Sequence, residues 1–186
     1  RQHGGGGAPD RRAPRLELLD AKTGEPREVD VVWRSSHQLT LERERARPCG
    51  YLIGADQAGA VQRLRALGVE VATVAASPAQ AQWEIEDYVV DAEAAGQRQD
   101  ARGAIADSQT SIRVLRVQTR PGRLAPAAGS FYVSMNQPLA ALVSAALEPD
   151  SQNSFAANRL LAIDAGQLRR VVQSPPAAST SPLTPR

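Results

Sequence analysis

The stretch Gly50-Tyr51-Leu52-Ile53-Gly54-Ala55-Asp56-Gln57-Ala58-Gly59-Ala60-Val61-Gln62-Arg63-Leu64-Arg65-Ala66-Leu67-Gly68-Val69-Glu70-Val71-Ala72-Thr73-Val74 changes its hydrophobic period twice, and that change decides the fold. Gly50 to Ile53 is a short unbroken apolar run, the pattern of a buried strand. From Asp56 the apolar residues fall at Ala60, Val61, Leu64 and Leu67, the i, i+1, i+4, i+7 face of a helix. Asp56 stands where an N-cap belongs, and Gly68 where a glycine stop belongs. Val69, Val71 and Val74 then begin another strand. Residues 50–75 therefore read as strand, helix, strand.

Upstream, Val29, Val31 and Trp33 alternate with Asp30 and Val32, and Leu39 and Leu41 resume the alternation after Ser35-Ser36, giving two early strands. Downstream, Trp83 and Ile85 share one parity while Tyr88 and Val90 share the other, so a β-bulge near Glu86-Asp87 is predicted. Gly96 to Gln109 is polar and reads as a loop. Ile112, Val114, Leu115 and Val117 form the next strand, with a slip between 114 and 115; Phe131, Val133 and Met135 form another. Asn136 is placed to cap a helix with Pro138 in its first turn and Leu139, Leu142, Val143, Ala146 and Leu147 along its stripe. Pro149 ends that helix, and a second is predicted from about Ser151–Ser154 through Phe155 to Leu161.

The ends read differently. Residues 1–14 carry four consecutive glycines and two prolines, and residues 174–186 carry four prolines among Ser, Thr and Ala. Both are predicted to be flexible, a linker and a tail, around one domain over 15–173. The expectation is an α+β fold: one mixed sheet of about six to eight strands packed by two to four helices, with the helix at 137–147 as its central packing element.

Composition narrows the function. The 186 residues are 42% hydrophobic and 23% charged, enough apolar content for a core. Lys+Arg is 22 against Asp+Glu 20, interleaved along the chain, whereas a nucleic-acid binder concentrates its basic residues on one face. No apolar run reaches the ~18 residues of a membrane span. Cys49 is the single cysteine, so no intramolecular disulfide forms. The first residue is Arg, not Met, which reads as a processed product or part of something longer.

Each candidate for chemistry has a plainer reading. His3 lies in the leader and His37 in a polar turn without ligands at metal spacing, and a catalytic zinc needs about three converging protein ligands. Cys49 lacks a base and reads as a small buried apolar residue. Gly50, Gly54 and Gly59 bracket a strand-to-helix turn, but neither phosphate-binding glycine pattern is present. Ser130 lacks a nucleophile-elbow setting. Glu84, Glu86, Asp87, Asp91 and Glu93 read as solvated edge protection. The arginines at 11–12, at 43, 45 and 47, at 63 and 65, and at 169–170 read as solvated ion pairs. No catalytic, cofactor-binding or metal residue is assigned.

Two blocks are more specific. Arg47-Pro48-Cys49-Gly50-Tyr51-Leu52-Ile53, with the helix and Leu67-Gly68-Val69-Glu70-Val71 after it, resembles the segment following the catalytic domain of bacterial zinc carboxypeptidases. Gly129-Ser130-Phe131-Tyr132-Val133, Gln137-Pro138-Leu139-Ala140 and Ala146-Leu147-Glu148-Pro149-Asp150-Ser151 resemble the C-terminal signature of the same family, and Trp33-Arg34-Ser35-Ser36 fits it too. The resemblance covers roughly residues 28 to 162. Ser134 departs from the proline expected in that strand.

The resemblance implies a C-terminal, non-catalytic accessory region of a metallopeptidase that hydrolyses C-terminal peptide bonds. Its zinc, held by His-x-x-Glu and a later histidine, would lie in the upstream catalytic domain, and this chain alone would be inactive. The implied partners are that domain and a peptide or protein substrate, in an extracytoplasmic or periplasmic setting. The alternative is a free-standing peptide- or protein-interaction module using an exposed sheet edge. A third reading puts a small-molecule site at the turn after Ile53.

Overall fold

A computed structural model describes residues 15–31, 43–76, 82–100, 104–106, 109–173 and 180–181. Contacts divide the chain into two units, residues 1–44 and 45–186, and the expected single domain over 15–173 spans both. In the first unit, β1 (Arg15–Leu19) pairs antiparallel with β2 (Pro26–Asp30). The Asp20 carboxylate closes their turn by accepting from the amides of Lys22 and Thr23 at 2.8 and 3.2 Å. β2 overlaps the predicted strand from Val29, but its partner β1 was not anticipated. Trp33, Leu39 and Leu41 lie outside the described residues.

The second unit contains β3 (Gly50–Ile53), a 3-10 turn (Ala55–Gln57), α1 (Ala58–Ala66), β4 (Ala72–Val74), β5 (Trp83–Gln97) and β6 (Ser111–Leu124). There follow β7 (Phe131–Ser134), α2 (Ala140–Leu147), a second 3-10 turn (Asp164–Gly166), β8 (Leu168–Val171) and β9 (Thr180–Ser181). The fold is α+β, with two α-helices among the described residues. Seven strands form one sheet in the order β6-β5-β8-β3-β7-β4-β9. Every described pairing is antiparallel, which corrects the expected mixed sheet. β7 and β8 flank β3 on either side, so β3 and β4 are not neighbours.

Alternation along the strands sorts side chains onto two faces. Tyr51, Ile53, Val133 and Leu168 face the larger core, with Ala60, Val61 and Leu64 of α1 and Val143, Ala146 and Leu147 of α2. Leu52, Val74, Trp83, Ile85, Tyr132 and Val171 form a smaller cluster on the other face, where the Trp83 and Tyr132 rings meet edge to face with centroids 5.4 Å apart. This explains the slipped periodicity in β5. Trp83 and Ile85 serve one core and Tyr88 the other, in continuous register. The bulge is not at Glu86-Asp87; it lies between Val90 and Ala92.

Gly68 stops α1 as expected. It sits at φ +86°, with Val69 N donating to Leu64 O at 3.0 Å and Gly68 N to Arg65 O at 2.9 Å, the paired bonds of a Schellman end. The predicted N-caps are corrected. Asp56 falls inside the 3-10 turn and caps nothing, because α1 starts after Gln57, and α2 starts after Leu139 rather than at Asn136. Gln137 takes part in tertiary bonding instead: its carbonyl accepts from Glu70 N at 2.9 Å and its amide donates to Ser134 O at 2.6 Å. The predicted helix over 155–161 is a series of turns. Ser154, fully buried, donates to Pro149 O and accepts from Ala157 N, each at 3.0 Å, and so diverts the backbone from a helical ladder. Gly96 and Gln97, assigned to a loop, extend β5.

Candidate functional site

Two places in the second unit concentrate polar chemistry. The first lies on the α2 face of the sheet. The antiparallel register sets Glu86 opposite Arg170 and Arg170 opposite Tyr51, so three polar residues from neighbouring strands share one face. Glu148, at the C-terminal end of α2, comes down onto them. Its Oε1 accepts from the Tyr51 hydroxyl at 2.8 Å and lies 3.2 Å from Arg170 Nε. Its Oε2 lies 3.2 Å from Arg45 Nη1.

Arg45 then grips Asp150 with both terminal nitrogens, at 2.9 and 2.7 Å, and donates to Val117 O at 2.8 Å. Arg170, only 3% exposed, ion-pairs with Glu86 and donates to Ala46 O. Tyr88 Oη is buried beside this group and has no hydrogen-bond partner among the described residues. Burial, reinforced by the Glu148 charge, pushes the Tyr51 and Tyr88 phenols well above their usual range. The hydrogen bond to Asp150 holds the Arg45 guanidinium even more firmly protonated. Each carboxylate here is matched to a guanidinium, so the cluster fixes structure and offers no free general acid or base.

The second place is a cleft of about 510 Å³ at the turn after Ile53, lined by Leu52, Gly54, Asp56, Ser130, Gln167 and Arg169 among others. Arg169 lies opposite Leu52 in the register, on the smaller core's face, and its Nε donates to Asp87 at 2.7 Å. The cleft coincides with the turn singled out by its glycines.

The other predicted residues are dispersed. Cys49 is half-buried and its thiol donates to Val172 O at 3.4 Å, so it is less buried than expected. His3 and His37 lie outside the described residues. The first part of the acidic stretch is not at an edge: β5 is flanked by both β6 and β8 over Ile85–Asp87, and Glu84, Glu86 and Asp87 pair with Arg123, Arg170 and Arg169. Asp91 and Glu93, by contrast, are exposed where β5 pairs with β6 alone, Glu93 bonding Arg113. The Arg169–Arg170 pairs reach across the sheet to partners 82 and 84 residues away. Among the described residues, no group of three or more His, Cys, Asp or Glu is placed to hold a metal ion, and no helix is long and apolar enough to cross a membrane.

Glu148, Asp150 and Gln167 were not anticipated as site residues. One sequence signal was available: Glu86-Asp87 and Arg169-Arg170 are oppositely charged doublets, as two antiparallel neighbours require. Searches of protein-family models, curated proteins and solved structures find no match to this chain.

Proposed function

We propose that this chain is the accessory, non-catalytic C-terminal region of a carboxypeptidase-like metallopeptidase, packing on the catalytic domain and shaping substrate access. The observation that carries the reading is the Glu148 cluster. It joins Tyr51, from the first block of the resemblance, to Glu148 and Asp150, from the second, so the two blocks serve one structural lock. A lock of mutually neutralised charges suits a scaffold. The zinc of such a peptidase belongs to its catalytic domain, and no residue of this chain is given to it.

A second reading, a free-standing interaction module, draws on Val89 and Val114. They share one face of the β5–β6 ribbon and are 42% and 51% exposed. One experiment separates the two. The native polypeptide is isolated from its source cells with an antibody to this chain, its intact mass is measured, and it is assayed for chelator-sensitive release of C-terminal amino acids. The accessory reading expects a polypeptide much longer than this chain with zinc-dependent activity, and no turnover by the isolated chain with zinc added. A native product near 19.8 kDa with no peptidase activity overturns it in favour of the module. Chelator-sensitive turnover by the isolated chain also overturns it.

A further inference from the structure

The geometry of the cleft at Gly54 points to a binding site for a small zwitterion bearing an apolar side chain, a free α-amino acid or a dipeptide. The inference is independent of the metallopeptidase reading. Four polar groups converge on the cleft without being satisfied by the protein. Ser130 is 5% exposed, and its hydroxyl has no hydrogen-bond partner among the described residues. The Gln167 carboxamide and Asp56 carboxylate likewise have none, and among the described residues Arg169 bonds only through Nε, to Asp87, with neither terminal nitrogen engaged. These groups reach the solvent-filled cleft, from Ser130 at its floor to the exposed Asp56, so a ligand entering it finds donors and acceptors that no protein group of the described residues occupies.

The backbone is shaped to hold those groups in place. A Cβ on Gly54 would collide with Gln167 Oε1 and stand 2.8 Å from Asp56 Oδ1. A Cβ on Gly166 would collide with the Arg169 guanidinium. Both polar heads therefore lie flat against bare backbone, and Asp87 at Nε fixes the guanidinium plane with its other edge free for a bidentate acceptor.

Charge decides the ligand. Among the residues lining the cleft, Arg169 contributes one positive charge and the exposed Asp56 one negative charge, on separate parts of the wall. A phosphate dianion leaves Asp56 unmatched and repelled, but a zwitterion matches both charges, offering its carboxylate to Arg169 and Ser130 and its ammonium to Asp56 and Gln167 Oε1. Leu52 and Leu124 form an apolar wall suited to an aliphatic side chain. At about 510 Å³ the cleft falls within the usual range for small-molecule sites.

The test is NMR titration of the isotope-labelled full chain with L-leucine and with L-alanyl-L-leucine. Controls are N-acetyl-L-leucine, which lacks the ammonium, L-leucinamide, which lacks the carboxylate, and inorganic phosphate. Saturable shifts are expected at Gly54, Asp56, Ser130, Gly166 and Arg169 with a zwitterion, and about tenfold weaker binding with either blocked compound. The tighter of the two zwitterions identifies the source as amino acid or peptide. Asp56→Asn, at an exposed position without structural partners, should keep the fold and weaken binding about tenfold, and Arg169→Gln should do at least the same. Absence of saturable shifts with both zwitterions overturns the inference. So does phosphate binding as tightly as either one, or unchanged affinity in folded Asp56→Asn.

Discussion

Replacing Glu148 by alanine removes a carboxylate that accepts from Tyr51 at 2.8 Å and lies 3.2 Å from both Arg45 and Arg170. Breaking a buried ion pair by deleting one partner commonly costs ~3–5 kcal/mol. Two features place this site at the lower end. Glu148 is 17% exposed, and each arginine keeps a second anion, Asp150 for Arg45 and Glu86 for Arg170. Glu148→Ala should therefore cost about 3 kcal/mol, of which ~1 is the Tyr51 hydrogen bond. Glu148→Gln keeps a carbonyl acceptor for Tyr51 but loses the charge, and should cost about 2 kcal/mol.

At ~3 °C of melting midpoint per kcal/mol for a unit of this size, the expected shifts are about 9 and 6 °C. Thermal and urea unfolding followed by circular dichroism read both. A Tyr51→Phe/Glu148→Ala cycle should return a coupling of about 1 kcal/mol. If Glu148→Ala unfolds within ~0.5 kcal/mol of the parent, the range of an ordinary surface substitution, the lock is not structural. Equal losses for Gln and Ala would show that the charge carries the whole effect and the Tyr51 bond none.

The three tyrosines of the chain, Tyr51, Tyr88 and Tyr132, all have phenols raised above their usual value, burial being the largest cause in each. Unfolded phenols ionise near pH ~10 while the folded ones stay protonated, so this contribution is complete below pH ~10 and is lost as pH rises towards the folded values. Phenolate absorbance at pH ~10 should be weaker in the native chain than after adding denaturant; a native signal of similar size refutes the assignment. Gly68→Ala forces a β-carbon into a left-handed position at φ +86° and should cost about 1 kcal/mol, with Gly68→Asn costing less. Equal urea midpoints for all three proteins would show that the glycine stop contributes nothing to stability.

The sequence by itself determined the elements whose signal is local. The period change over residues 50–74 produces β3, α1 and β4, and Gly68 ends α1 because a residue without a β-carbon settles there at positive φ. The stripe through Leu142, Val143, Ala146 and Leu147 likewise belongs to one helix, α2. Local signals misled wherever a neighbour competed for the same groups. Gln137 bonds Glu70 and Ser134 across the fold, so the turn it occupies precedes the helix, and Ser154 turns the segment after Pro149 away from a second helix.

The tertiary structure alone decided strand order, and with it both polar sites. Inserting β8 between β5 and β3 brings Arg169 and Arg170 beside Asp87 and Glu86 and sends their side chains to opposite faces. One arginine joins the Glu148 lock and the other edges the cleft. Residue spacing along a chain fixes which face of an element is apolar, but the choice of neighbour is settled by packing and charge pairing between segments more than eighty residues apart.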